Sequence, residues 1–215
     1  MRTEQINIYT FGELSERAKE RALDAIRDMN VGEGSDWYGG VFGRYTTALQ
    51  ILGFDLNIGG IRFFGFWAQG DGASFTGRYT HQPECLDKLK KEFPRWDSMH
   101  DSCKWLGTTY KDFEKLTAKG CELSGEIARH SSHYVHQNTV EFHLLEANEL
   151  NDRYSIPADA LDGVESDLNR YFRAIMQELY DDLNDRFDTL TSDACVKEAI
   201  QDKGLEFTID GSVYG

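Results

Sequence analysis

Apolar and polar residues alternate from Gln5 to Phe11, the period of a half-buried strand. Ser15 follows as a helix cap, its hydroxyl placed to accept the unpaired N–H groups of a first turn. Ala18, Ala22, Ala25, Ile26 and Met29 then recur at helical spacing, and Asn30 to Gly34 break the pattern. Ser35 reads as a second cap. The helix behind it has an apolar stripe of Trp37, Val41, Tyr45, Ala48, Leu49 and Leu52, ended by Gly53. Gly60 to Trp67 and Ser74 to Thr80 read as two strands. Gln69-Gly70-Asp71-Gly72 between them supplies the positive-φ positions of a tight reversal, so a β-hairpin is predicted.

Pro83 to Phe93 reads as a short helix. A second runs over residues 98–118, with Met99, Cys103, Leu106, Tyr110, Phe113 and Leu116 as its stripe. Cys121 to Arg129 and Asn138 to Leu145 read as strands joined by His130 to Gln137. Residues 147–158 are mostly polar and read as a loop. A long helix then starts near Pro157 or Asp159, and its apolar positions step by three or four from Leu161 to Leu190. Leu205 to Ile209 reads as a closing strand. The order predicts one α+β domain over residues 1–215. Its antiparallel sheet of four to six strands is packed with helices, and the long helix lies near the C-terminus.

Charge sharpens this picture. Residues 1–100 carry 12 Lys/Arg against 14 Asp/Glu, and residues 101–215 carry 11 against 23. Nearly all of the net −14 therefore belongs to the second half, from about residue 101. Such a surface repels DNA and RNA and attracts basic protein. No apolar run approaches the ~20 residues that span a bilayer. No signal-peptide apolar core follows the first residues, so a cytoplasmic protein without a membrane partner is expected. Cys85, Cys103, Cys121 and Cys195 form no C-x-x-C pair, and reduced thiols are expected.

Three groupings invite chemistry. His130, His133 and His136 lie three residues apart. On a helix they would share a face and could hold a metal. In the extended connection expected here they point to different faces, so no metal site and no cofactor is expected. The hairpin tip contains Gln69, Asp71 and Ser74, with His81 beyond it. Without a G-x-S-x-G or phosphate-loop pattern it reads as a turn or a binding tip rather than a catalytic centre. Glu178, Asp181, Asp182, Asp185 and Asp188 recur along one side of the last helix. They could imitate a row of phosphates or simply face water, with Asp182 paired to Arg186.

Two stretches resemble a family. They are Tyr9 to Ala22 (YTFGELSERAKERA) and Phe64 to Gly77 (FGFWAQGDGASFTG), the second carrying the unusual string Trp-x-Gln-Gly-Asp-Gly-Ala-x-Phe. The chain here is similar to small phage and prophage proteins labelled antitoxin of a toxin–antitoxin stability system, over about its first 80 residues. The resemblance implies a viral origin and a cytoplasmic place in the host cell. Together with the acidic second half, it points to a non-enzymatic inhibitor that binds a host protein with a basic surface. That partner would be a nucleic-acid-handling or antiviral-defence complex. The candidate contacts are Glu178, Asp181, Asp182, Asp185, Asp188, Gln69 and Asp71. The alternatives are an antitoxin that neutralises a cognate toxin, and an enzyme built on Asp71, Ser74 and His81. The sequence leaves the oligomeric state open.

Overall fold

The computed structural model describes residues 5–116, 122–130 and 133–214, and all of their side chains except those at 57–59, 97–105, 116 and 148. In chain order the elements are β1 (Tyr9–Thr10), α1 (Glu16–Ala25), α2 (Gly39–Leu52), β2 (Phe54–Phe64), β3 (Gly72–Thr80), α3 (Cys85–Glu92) and α4 (Asp97–Leu116). They continue with β4 (Ser124–Arg129), β5 (Val140–Leu144), α5 (Ala147–Tyr154), α6 (Ala158–Thr191), α7 (Asp193–Lys203), β6 (Glu206–Phe207) and β7 (Val213–Tyr214). The fold class is α+β, with a long helix, α6, toward the C-terminal end.

The chain divides into two compact units, one of residues 1–39 with 183–215 and one of residues 40–182. Helix α6 contributes residues 158–182 to the larger unit and 183–191 to the smaller.

In the larger unit β2, β3, β4 and β5 form an antiparallel sheet in that order. The register of β2 on β3 slips between the pairs Leu56↔Gly77 and Ile61↔Phe75, so β2 carries a bulge. Alternation puts Phe54, Phe75, Tyr79 and Phe142 on one face, where they meet Phe172 of α6 in edge-to-face contacts 4.7–6.5 Å between ring centres. Leu168, Ile175, Met176 and Leu179 of α6 and Tyr45, Leu49 and Leu52 of α2 complete this core, all but inaccessible to water. These are the apolar stripes that the sequence marks, buried because one helical face can be removed from water as a block.

The smaller unit has its own core of Leu14, Ala18, Ala22, Leu23, Val196, Ile200 and Phe207. Ser15 caps α1, accepting from the Ala18 amide at 3.3 Å, and Ser192 caps α7 through the Cys195 amide at 3.4 Å. Arg27 bridges Asp24 at 2.8 Å and Asp193 at 3.0 Å and also donates to the Thr191 carbonyl. The closing strand is shorter than expected. It pairs with β1 and β7 in a separate small antiparallel sheet of order β1-β6-β7 rather than joining the main sheet.

Other boundaries also differ from the sequence reading. The first strand pairs over Tyr9 and Thr10 alone. Ser35 donates its hydroxyl to the Gly32 carbonyl instead of capping, and α2 starts four residues later, at Gly39. Trp37 therefore precedes the helix, and its ring packs edge-on to Tyr38 and Phe187. Residues 147–154 form a helix rather than a loop, anchored by the buried Leu150. Residues 117 and 118 of the expected fourth helix, Cys121, and the side chains of Met99, Cys103 and Leu116 lie outside the described residues.

Candidate functional site

The reversal between β2 and β3 is held by its own polar groups. The Asp71 carboxylate accepts from the backbone amides of Trp67 at 2.8 Å and Ala68 at 2.7 Å, closing the loop over residues 65–71. Gly70, at φ +99°, lies against the Tyr134 ring so closely that a Cβ would meet it at 2.0 Å, and its carbonyl accepts from the Val135 amide at 3.1 Å. The Gln-Gly-Asp-Gly string is thus a structural requirement of the tip. Its Asp71 is spent inside the loop, and Gln69 remains exposed.

Around this turn stand aromatic side chains. Phe66 packs on Phe63 at 4.9 Å, on Trp67 at 5.9 Å and on Tyr180 of α6 at 5.6 Å. Trp67 nevertheless stays 79% exposed and Phe64 65%. Tyr134 is also exposed. Burial raises the Tyr180 hydroxyl above its ordinary value, with smaller contributions from the Asp71 and Asp181 carboxylates nearby. The structure thereby brings the hairpin tip and one member of the acidic helix face to the same tyrosine.

The remaining acidic residues are not a uniform solvated row, and this corrects the sequence reading. Glu178 accepts from the Trp96 indole N–H. Asp182 accepts from the Arg44 guanidinium at 2.5 Å and from the Tyr45 hydroxyl at 2.7 Å, in place of the expected pair with Arg186. Arg44 is stacked over Tyr45 and Trp96, 5.6 and 5.5 Å from the ring centres. Burial, and then the bond to Asp182, pushes the Tyr45 hydroxyl far above the ordinary phenol value. These groups line an open cleft of about 680 Å³ with Phe93 and Arg95. Asp181 is exposed and accepts from the Gln177 side chain at 2.9 Å. Asp185 and Asp188, in the smaller unit, are exposed, and Asp188 accepts from Asn184 at 3.3 Å.

Asp71, Ser74 and His81 do not assemble. Ser74 is fully buried and accepts from Arg129 at 3.1 Å. His81 follows the far end of β3, seven residues on, roughly 23 Å away at the rise of a strand. His81 belongs instead to a polar group that the sequence reading missed. Its Nδ1 is 3.4 Å from the Tyr79 hydroxyl, its ring lies 4.1 Å from that of Tyr110, and the two tyrosine hydroxyls are hydrogen-bonded to each other. Burial lowers the His81 value, partly offset by Glu114. The signal was present: Tyr79 and His81 share one strand face, and Tyr110 sits on the apolar stripe of α4.

The histidine run is distributed over backbone duties. His136 Nδ1 accepts from the Asn138 amide at 3.1 Å, the His130 amide donates to the Thr139 carbonyl, and His133 is exposed. Ser131 and Ser132 lie outside the described residues. Among the described residues no group of three or more His, Cys, Asp or Glu is placed to hold a metal ion, and no helix is long and apolar enough to cross a membrane.

Comparison with curated proteins and with solved structures finds no match. A family described as Domain of unknown function (DUF8835) matches residues 37–193, well over half of the chain and the whole of the larger unit. The chain belongs to the DUF8835 family.

Proposed function

We propose that this protein acts by binding another protein, with the aromatic tip at Phe64, Trp67 and Tyr134 as the main contact and Asp181 beside it. The observation that carries the reading is Trp67, 79% exposed on a turn whose backbone is fixed by Asp71, Gly70 and Tyr134. Leaving an indole in water forfeits the burial of an aromatic surface of roughly 150–250 Å². Tryptophan and tyrosine on pre-formed surfaces are the residues on which binding energy concentrates. A rigid turn presents them without an ordering cost at the moment of contact.

The carboxylates define the partner. Asp181 next to Tyr180 and the net charge of −14 favour a cationic surface, which arginine would supply through stacking on Trp67 and pairing with carboxylate. With the resemblance described above, the partner to seek first is a host nucleic-acid-handling or antiviral-defence protein, and the activity is non-enzymatic inhibition. An antitoxin would use the same surface on a toxin, and the identity of the captured protein separates the two.

The test is co-purification from host lysate with wild-type protein and with Trp67→Ala, followed by binding kinetics on the protein recovered. Trp67→Ala should weaken the complex by roughly 2 kcal/mol or more, about thirtyfold in Kd. Equal capture and equal affinity for the two proteins would overturn the reading.

A further inference from the structure

On the face of the main sheet turned away from α6, two exposed arginines stand in different settings. Asp55, Arg78 and Glu126 lie opposite one another across β2, β3 and β4. Arg78 therefore has a carboxylate-bearing neighbour on either side, and its charge is offset within the sheet. Four residues earlier on β3, Ser74 stands where Arg78 stood, and its partner on β2 is Arg62. Ser74 is inaccessible to water, and its hydroxyl accepts from the Arg129 guanidinium at 3.1 Å. Two arginine side chains thus meet around one serine. Burial, and then the like charge of Arg62, lowers the Arg129 value below that of a free guanidinium. Among the described residues neither arginine has a carboxylate within ion-pair distance. Asp71, the carboxylate of the adjoining turn, is held by the Trp67 and Ala68 amides. Uncompensated like charges side by side disfavour one another, and a bound anion relieves this.

Exposed rings flank the pair. Phe64, two residues beyond Arg62 on the same face, pairs with Gly72. Residues 135 and 136 lie over Gly72, where a Cβ would meet the Val135 carbonyl at 2.6 Å. Tyr134 precedes them, and its carbonyl accepts from Arg129 at 3.5 Å. We propose that Arg62 and Arg129 form an oxyanion site that takes a carboxylate of the bound partner, resting on the partner-binding surface inferred above. The planar guanidinium matches the two oxygens of a carboxylate. Phe64 and Tyr134 shed water when the partner is seated, which strengthens the ion pair between them. A nucleic-acid strand would bring many phosphates against a chain of net −14, whereas one carboxylate brings a single charge to two cations. The partner segment is therefore of mixed charge, with a cation toward Asp181 and an acid toward Arg62, and this polarity fixes its orientation.

The experiment is an NMR titration of the full chain with sodium acetate, following the arginine Nε–H resonances at ionic strength held constant with sodium chloride. Wild type, Arg62→Gln and Arg78→Gln are compared, with amide spectra confirming the fold of each. The Arg129 resonance should shift saturably. Arg62→Gln should raise the half-saturating concentration roughly fivefold or more, and Arg78→Gln should leave it unchanged. No saturable shift, or an Arg62→Gln variant that titrates as the wild type does, would overturn the site. A parallel titration with sodium phosphate, at a pH where it is chiefly the monoanion, tests the carboxylate assignment. Saturation at roughly tenfold lower concentration than acetate would transfer the site to a phosphorylated ligand. With the protein captured from lysate, Arg62→Gln should weaken the complex roughly fivefold or more. Unchanged affinity there would overturn the role in partner binding. If Trp67→Ala leaves capture unaltered, the surface reading fails, and the acetate titration still decides the oxyanion site by itself.

Discussion

Asn169 and Phe142 exchange two hydrogen bonds: the Phe142 amide donates to Asn169 Oδ1 at 2.8 Å, and Asn169 Nδ2 donates to the Phe142 carbonyl at 2.7 Å. A side-chain amide on α6 thus imitates the next strand and satisfies the outer backbone groups of β5 where its residues alternate buried and exposed. Phe142 itself is buried, stacked edge-on to Phe172, so these backbone groups sit beside a dry core. Asn169→Leu removes both partners and leaves an amide and a carbonyl unpaired. Each lost bond at a desolvated group costs about 1–3 kcal/mol, so urea unfolding should show a loss of roughly 2–5 kcal/mol. The exposed edge should also raise aggregation on refolding.

Neighbouring acidic residues on α6 should respond differently to neutralisation. Asp181 is exposed, and Asp181→Asn should change stability by no more than about 0.5 kcal/mol. Asp182→Asn removes the charge that holds Arg44 at 2.5 Å and the acceptor best matched to the Tyr45 hydroxyl, whose residue is fully buried. A loss of about 1–3 kcal/mol is expected, read from the denaturant midpoint of each variant. Equal effects would mean that the acidic positions are interchangeable surface charge.

The long helix was legible because Leu161 to Leu190 repeat at one spacing over many turns, and packing rewards that stripe directly. The first half of β2 was not, although Phe54-Asp55-Leu56 alternates, because Gly59 and Gly60 and the bulge interrupt the period there. Helix α5 is hidden by polarity: among its described side chains Leu150 alone is buried, and its start at Glu146 lies in left-handed backbone with no capping side chain. Helix α7 has a cap at Ser192 and a stop at Gly204, but only Val196 and Ile200 are buried, too few to set a period. The tip could be read as a turn from Gly70, Asp71 and Gly72. That Trp67 faces water while Phe66 packs on Tyr180 depends on contacts from a helix more than a hundred residues away, which no local pattern encodes. The same holds for Glu178, whose partner Trp96 is set by the tertiary fold.

Gly70→Ala tests whether the tip is as rigid as its contacts imply. At φ +99° an L side chain is strained by about 1–2 kcal/mol, and the new methyl would also meet the Tyr134 ring. The Val135 amide, which donates to the Gly70 carbonyl at 3.1 Å, reports the change. Its hydrogen exchange should accelerate roughly tenfold or more, while amides in β3 and β4 keep their protection. Unchanged exchange at Val135 would show that the loop absorbs the methyl without opening.

His81 gives the chain a pH dependence with a defined sign. Burial beside Tyr79 and Tyr110 lowers its value from the ordinary 6.5, and the opposing pull of Glu114 is smaller. The unfolded chain therefore takes up this proton near pH 6.5, whereas the folded chain does so only at lower pH. In that interval the unfolded state binds more protons, and linkage makes stability rise with pH. The contribution of His81 is complete above the unfolded value and is lost as pH falls through the folded value. His81→Gln removes the titration and keeps a polar side chain at the cleft shared with Cys85 and Glu114. Thermal unfolding at pH 7.5 and pH 5.5 should show a larger fall for the wild type than for this variant. Carboxylate titration, common to both proteins, supplies the remainder. Identical falls would place His81 in water-like surroundings in the folded protein, contrary to its stacking on Tyr110 at 4.1 Å.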